Sequence, residues 1–225
     1  MQAGQEPVPN RFRDRADAGR YLGAMLSSYA GRNDVVVLAL PRGGVPVGFE
    51  VAQALGVPLD VFVVRKLGVP GHEELAFGAL ASGGTRILNS DVVRYLSMTS
   101  EVIDAVSERE RSELERREHL YRGERPNTVL EAKTVILVDD GLATGASMRA
   151  AVAAVREQKP AQIVVAVPTA ALDTCASLEA EVDELVSPLR PRNFRAVSLW
   201  YDRFEQVSDQ EVRTLLERAK RVGDG

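Results

Sequence analysis

Residues 135–147, V-I-L-V-D-D-G-L-A-T-G-A-S, constrain the fold of this chain more than any other stretch. Four apolar residues, Val135 to Val138, run straight into two adjacent carboxylates, Asp139 and Asp140. Small residues follow from Gly141 to Ala146, and Ser147 opens an amphipathic segment. The pattern reads as a buried parallel-type strand, a turn at its carboxyl end and a helix N-terminus. Such a turn offers backbone N–H groups, the hydroxyls of Thr144 and Ser147 and the positive end of a helix dipole, which together suit a phosphate. Asp139 and Asp140, one turn away, can accept hydrogen bonds from sugar hydroxyls. A phosphate at one end and a diol at the other describe a phosphorylated ribose. The bland alternative is an ordinary strand-to-helix turn that happens to carry two acids. Buried strands seldom end in paired acids unless something compensates them.

The rest of the chain alternates in the same way. Asp14 to about Ala30 reads as a helix with the stripe Ala18, Tyr21, Leu22, Met25 and Leu26. Asp34 to Leu40 reads as a buried strand, Pro41 to Pro46 as a turn, Val47 to Leu55 as a short helix and Leu59 to Val64 as a second buried strand. Leu75 to Ala81 and Arg86 to Leu88 suit a hairpin around Ser82-Gly83-Gly84. Thr99 to about Tyr121 is a charged helix with a thin stripe, Ile103, Val106, Leu114 and Leu120. A solvated surface helix is its plain reading, and a dimer contact in a homo-oligomer the sharper one. Then come a strand at 133–138, a helix at 146–157, a strand at 162–167 and a helix at 170–178. Short strands at 183–186 and 197–200 precede a last helix to about Arg221, capped by Ser208 with Glu211. The expected class is α/β: a mostly parallel doubly wound sheet flanked by helices. A loose start covers residues 1–12, and one domain covers 13–225, with a small C-terminal hood from about 183–207.

Composition narrows the function. With 28 basic and 32 acidic residues the net charge is −4, which argues against nucleic-acid binding through bulk charge. Cys175 is the single cysteine, so no intrachain disulfide can form. With no signal peptide and no long apolar run, a cytoplasmic, non-membrane protein is expected. One Cys and two distant His, His72 and His119, do not make a zinc site.

The 135–147 segment is not a P-loop, having no Lys in its turn, and not a dinucleotide fingerprint, since its acids precede its glycines. It resembles the 5-phosphoribosyl-1-pyrophosphate (PRPP) motif of the type I phosphoribosyltransferases: a hydrophobic run, two acids and a T-G-x-[ST] turn. From about residue 11 to 221 the chain is similar to a group of predicted phosphoribosyltransferases of unassigned substrate. L-P-R-G-G-V-P-V-G and V-I-L-V-D-D-G-x-A-T-G-A recur in that group.

The resemblance assigns roles. Ala143, Thr144, Gly145, Ala146 and Ser147 would hold the 5-phosphate, and Asp139 and Asp140 the ribose hydroxyls. The Leu40–Pro46 loop would be the pyrophosphate loop. Gly43 and Gly44 let its backbone approach an anion and Arg42 grips bidentately, with a strained, cis peptide expected at Pro41–Arg42. Arg65 and Lys66, read as the end of the next strand at the same sheet edge, would add two cations for pyrophosphate. G-V-P-G-H-E-E-L-A-F-G-A-L (68–80) falls where the family has a mobile loop, and His72, Glu73 and Glu74 on it receive no role. Trp200, Tyr201 and Phe204 in the hood would stack a flat acceptor, or else pack the last helix onto the core.

The implied reaction is displacement of pyrophosphate from C1 of PRPP by a nitrogen nucleophile, a pentosyl transfer of nucleotide metabolism. Asp139, Asp140 and Arg42 would be its catalytic residues. Mg²⁺ would enter with PRPP as the cofactor, with no direct protein ligand assigned. Ala143 stands where the hypoxanthine–guanine branch has an acid that meets purine N7, which puts 6-oxopurine transfer in doubt. Two other readings use the same fold: a non-catalytic PRPP- or nucleotide-sensing regulator, and a hydrolase of phosphoribosyl compounds.

Overall fold

The computed structural model describes residues 9–223, and side chains to residue 220. Five strands form a parallel sheet: β1 (Val35–Ala39), β2 (Leu59–Val61), β6 (Thr134–Val138), β7 (Gln162–Ala166) and β8 (Glu184–Val186), in the order β2-β1-β6-β7-β8. Between β2 and β6 the chain makes a separate antiparallel sheet of β3 (Val64–Val69), β4 (His72–Ala81) and β5 (Thr85–Leu88). The helices are α1 (Arg15–Met25), α2 (Gly44–Leu55), α3 (Ser90–Tyr95), α4 (Ser100–Arg122), α5 (Ala146–Glu157), α6 (Leu172–Leu178) and α7 (Asp209–Gly223).

Every residue of β1 and of β6 is buried, as expected of strands covered on both faces. Alternate residues serve opposite layers. Val36, Leu38, Val135, Leu137, Ile163 and Val165 pack under α5 and α6. Val35, Val37, Ile136, Val138, Val164 and Ala166 pack under α1 and α2. The sheet is therefore doubly wound, as its unbroken apolar runs imply.

Several expectations change. The run 59–64 is not one strand. After β2 the chain leaves the parallel sheet: Ser82 accepts the Val63 N–H on its hydroxyl and returns its own N–H to the Val63 carbonyl, both at 2.9 Å. α2 starts at Gly44 rather than Val47, because Pro46 falls in the first turn, where a helix needs no N–H. The mobile-loop stretch 68–80 is the rest of β3 and β4, an antiparallel hairpin with exposed His72, Glu73 and Glu74 at its tip. Residues 197–200 make a 3₁₀ turn instead of a strand, extended pairing there being reduced to a bridge between Phe12 and Tyr201. Of the loose start 1–12, residues 1–8 lie outside the described residues, and Phe12 is buried, its N–H donating to the Trp200 carbonyl at 3.0 Å. The stripe of α4 turns inward: Ile103, Val106, Leu114 and Tyr121 join a third core with β3, β4 and α7.

A buried ion pair ties this third core to the parallel sheet. Arg122, at the end of α4, donates through Nε to Asp60 Oδ1 at 3.0 Å and through Nη2 to the Val61 carbonyl at 2.7 Å. Thr128 supplies its hydroxyl to Asp60 Oδ2 at 2.7 Å, and both charged side chains are under 10% exposed. Replacing Arg122 with Met leaves Asp60 buried without its cation. Denaturant unfolding of Arg122→Met should show a loss of about 3–5 kcal/mol.

Candidate active site

Strand order reverses between β1 and β6, since β1 leads outward to β2 and β6 leads the other way to β7. In open α/β sheets ligands bind outside the carboxyl ends of the strands at such a point. The turns that leave β1 and β6 there are the two glycine-bearing motifs. They are in contact. An ideal Cβ on Gly43 would lie 2.0 Å from Asp140 Oδ2, and one on Gly44 would lie 2.7 Å from the Val138 carbonyl oxygen. Neither position has room for a side chain. The Pro41–Arg42 peptide bond is cis.

Asp139 and Asp140 follow β6 directly. Asp139 Oδ1 accepts the Asp140 N–H at 2.8 Å. Asp140 Oδ2 accepts from Arg15 Nε at 2.8 Å, and its backbone carbonyl accepts the Tyr201 hydroxyl at 2.6 Å. Burial pushes Asp139 well above the ordinary carboxylate range, and the neighbouring Asp140 charge adds to the rise. Burial also raises Asp140, with Arg15 opposing it.

Downstream the turn runs into α5. Gly145 sits at φ +71° in the left-handed region, where glycine is favoured. Gly145, at the N-cap, has no side chain to cap the helix, and the Ala146 N–H reaches the Thr144 hydroxyl only at 3.5 Å, while Ala143, Thr144, Ala146 and Ser147 are exposed. Two neighbours hold the turn from behind. Thr174 donates its hydroxyl to the Ala143 carbonyl at 2.6 Å, and Arg149 Nη1 donates to the Thr144 carbonyl at 2.8 Å. With its carbonyls held back and its helix start uncapped, the turn leaves N–H groups for an anion.

The other sequence candidates separate. Arg42 is half-buried, and its Nη1 lies 3.8 Å from Asp209 Oδ1 at the start of α7. That carboxylate also takes the Tyr121 hydroxyl at 2.6 Å, and burial followed by this bond pushes the phenol up to about 12. Arg65 and Lys66 do not end a strand of the parallel sheet; they lie near the start of β3, in the antiparallel one. Arg65 turns towards α4, giving two hydrogen bonds to Glu110, at 3.0 and 2.6 Å. Lys66 is exposed on the opposite face, the one on which Val64 packs against the α5 side of the core. In the hood, Tyr201 is buried, and Phe204 lies under the Arg15 guanidinium, whose carbon is 3.7 Å from the ring centroid. Trp200 stacks on Phe194 with centroids 6.3 Å apart.

Arg15, Asp209, Thr174 and Arg149 reach the site without any sequence signal: Arg15 is 125 residues from its partner, and no spacing rule links them. A cavity of about 730 Å³ opens at the opposite edge of the sheet, lined by Arg32, Gln53, Pro58 and Arg125 among others, remote from both motifs. Among the described residues no group of three or more His, Cys, Asp or Glu stands together to hold a metal. No helix among them is long and apolar enough to cross a membrane.

Acid pair, glycine turn and helix start meet at the switch point of a doubly wound α/β sheet. The chain belongs to the phosphoribosyl transferase domain family, whose sequence model matches residues 13–199. It is 47% identical over 210 residues to Rv0571c of Mycobacterium tuberculosis, which is provisionally named a phosphoribosyl transferase. That match covers 93% of this chain and 47% of the other, so the chain spans about half the length of the curated relatives it matches. It is also similar to the crystal structure of TT1426 from Thermus thermophilus, with 42% identity, a TM-score of 0.83, and coverage of 92% of this chain and 98% of that one.

Two outcomes follow from the geometry. Gly43→Ala should displace Asp140 and lower ligand affinity at the acid pair while far-UV circular dichroism stays that of the parent. Asp139 is held above its unfolded pKa, so its contribution to stability is full below the unfolded value and lost as pH rises through the folded one. Asp139→Asn should therefore melt higher than the parent at pH 8, and the gap should close as pH falls.

Proposed function

We propose that this chain transfers the 5-phosphoribosyl group of PRPP to a nitrogenous base or similar small acceptor. The observation that carries this reading is the contact, at one switch point, between the Pro41–Gly44 loop and the Asp139-Asp140 acids that lead into the α5 turn.

In this reading the backbone N–H groups of Ala143 to Ser147, with the hydroxyls of Thr144 and Ser147, bind the 5-phosphate. Asp139 and Asp140 accept hydrogen bonds from the ribose hydroxyls and oppose the positive charge that builds on the ring. The backbone of Gly43 and Gly44 approaches the pyrophosphate, and Arg42 turns from Asp209 to grip it. Lys66 is free to join on the α5 side, while Arg65 stays with Glu110. The acceptor nitrogen bonds to C1 as the C1–O bond breaks, and the electron pair leaves on pyrophosphate with inversion at C1. The hard oxygens of PRPP suit Mg²⁺, which would neutralise charge on the leaving group, held chiefly by the substrate's own oxygens. Of the hood aromatics, Trp200, half-buried and stacked on Phe194, is the one this reading assigns to a flat acceptor, because Tyr201 is buried and Phe204 is covered by Arg15. Ala143 lacks the carboxyl that would meet purine N7, so hypoxanthine and guanine should be poor acceptors.

The test is pyrophosphate release from PRPP with Mg²⁺ across a panel of nucleobases, each compared with a reaction lacking acceptor. Release that requires one base supports the transferase, and equal release without acceptor marks a hydrolase. PRPP binding without turnover on any acceptor marks a sensor. Changing Asp139 and Asp140 together to Asn should weaken PRPP binding by about 1.5–3 kcal/mol per lost charge-assisted bond. Unchanged affinity in that double variant would remove the diol role.

A further inference from the structure

Arg15 enters the candidate site from the far end of the chain, and its surroundings leave it one geometry. Its Nε donates to Asp140 Oδ2 at 2.8 Å and its Nη2 stands 2.8 Å from the same oxygen. Nη1 donates to the Glu205 carbonyl at 2.8 Å, and the guanidinium plane covers the Phe204 ring. Only 11% of the Arg15 side chain and 15% of that of Asp140 is exposed.

The pairing divides the carboxylate oxygens. Asp139 Oδ1 is taken by the Asp140 N–H, and Asp140 Oδ2 by Arg15. Asp139 Oδ2 and Asp140 Oδ1 are left, one on each of two adjacent residues, which matches the two hydroxyls of a cis diol. The same contacts tie Asp140 to the hood. Tyr201 holds its backbone carbonyl from one side, and Phe204 with Glu205 hold its carboxylate through Arg15 from the other. The segment that carries Arg15 is itself fastened to the hood. Asp202 N–H donates to the Phe12 carbonyl and Arg203 N–H to the Arg13 carbonyl, each at 2.9 Å, and Arg203 pairs with Asp14 at 2.5 Å.

We infer that Arg15 is a positioning residue for sugar binding: it sets which oxygen of Asp140 faces the diol, and it links occupancy of the acid pair to the placement of the hood. The inference rests on the proposed reading of the acid pair as the ribose site. Neither Lys nor Gln can replace the guanidinium fully. Lys keeps the charge but cannot reach both Asp140 and Glu205 with a fixed fork while lying flat on Phe204; Gln loses the charge. The charged or titratable groups facing Asp140 are Arg15 from α1, Asp139 from its own turn and Tyr201 from the hood; the pyrophosphate loop presents uncharged Gly43. Without Arg15, Asp140 would take up a proton at higher pH, so affinity for a diol would fail sooner as pH drops.

The experiment measures PRPP binding with Mg²⁺ by calorimetry across pH for the parent, Arg15→Lys and Arg15→Gln. Trp200 emission is followed in parallel, since Trp200 is the sole tryptophan and lies in the hood. Arg15→Gln should bind PRPP about tenfold or more weakly, and its loss of affinity on acidification should begin at higher pH. Arg15→Lys should restore the pH profile but only part of the affinity, and in both variants the Trp200 response to PRPP should shrink. A parent that binds PRPP, together with variants of unchanged affinity, profile and emission, would overturn the role of Arg15. If Arg15→Gln does not fold, an Arg15→Lys variant identical to the parent in affinity and emission overturns it equally. A parent that binds no PRPP fails at an earlier point: the ribose reading falls, and this inference with it.

Discussion

Two carboxylates at the end of a buried strand are an electrostatic burden, and much of this structure exists around that burden. Asp139 and Asp140 lie side by side where burial penalises their charge. The site offers one internal amide and one guanidinium as compensation. A cationic sugar ring arriving there would be welcomed by the same field that strains the pair.

The scaffold makes the burden tolerable. β1 and β6 lie in the middle of the five-stranded sheet and are covered on both faces, so the turns leaving them are held by rigid elements. Close approach of Gly43 and Gly44 to the acid turn locks the two motifs to one another without side chains between them. The antiparallel sheet and α4 form a third core beside this frame, anchored by Asp60 and Arg122. The N-terminal segment and the hood meet over the site, joined by backbone bonds between residues 12–13 and 200–203. Residues 12–15 and 200–205 thus converge on Asp140.

The periodicity of the chain was enough to read the parallel sheet, its helices and both glycine motifs, because those are local: an apolar run, a turn and a cap are each written in a few consecutive residues. Val135 to Ser147 is the clearest case, where strand end, acids and helix start succeed one another without interruption. The sequence also determined that the acids precede the glycines, which separates this turn from dinucleotide and P-loop designs. What only the tertiary structure decided is pairing at a distance. The apolar run 59–64 looked continuous, yet Ser82 diverts it into a second sheet, which moves Arg65 to Glu110 and leaves Lys66 on the other face. Tyr201 and Phe204 could have stacked an acceptor or packed inward; the structure buries Tyr201 and sets the Arg15 guanidinium over Phe204. Arg15 itself had no signal, since a salt bridge across 125 residues depends on the three-dimensional path of the chain and not on any local spacing.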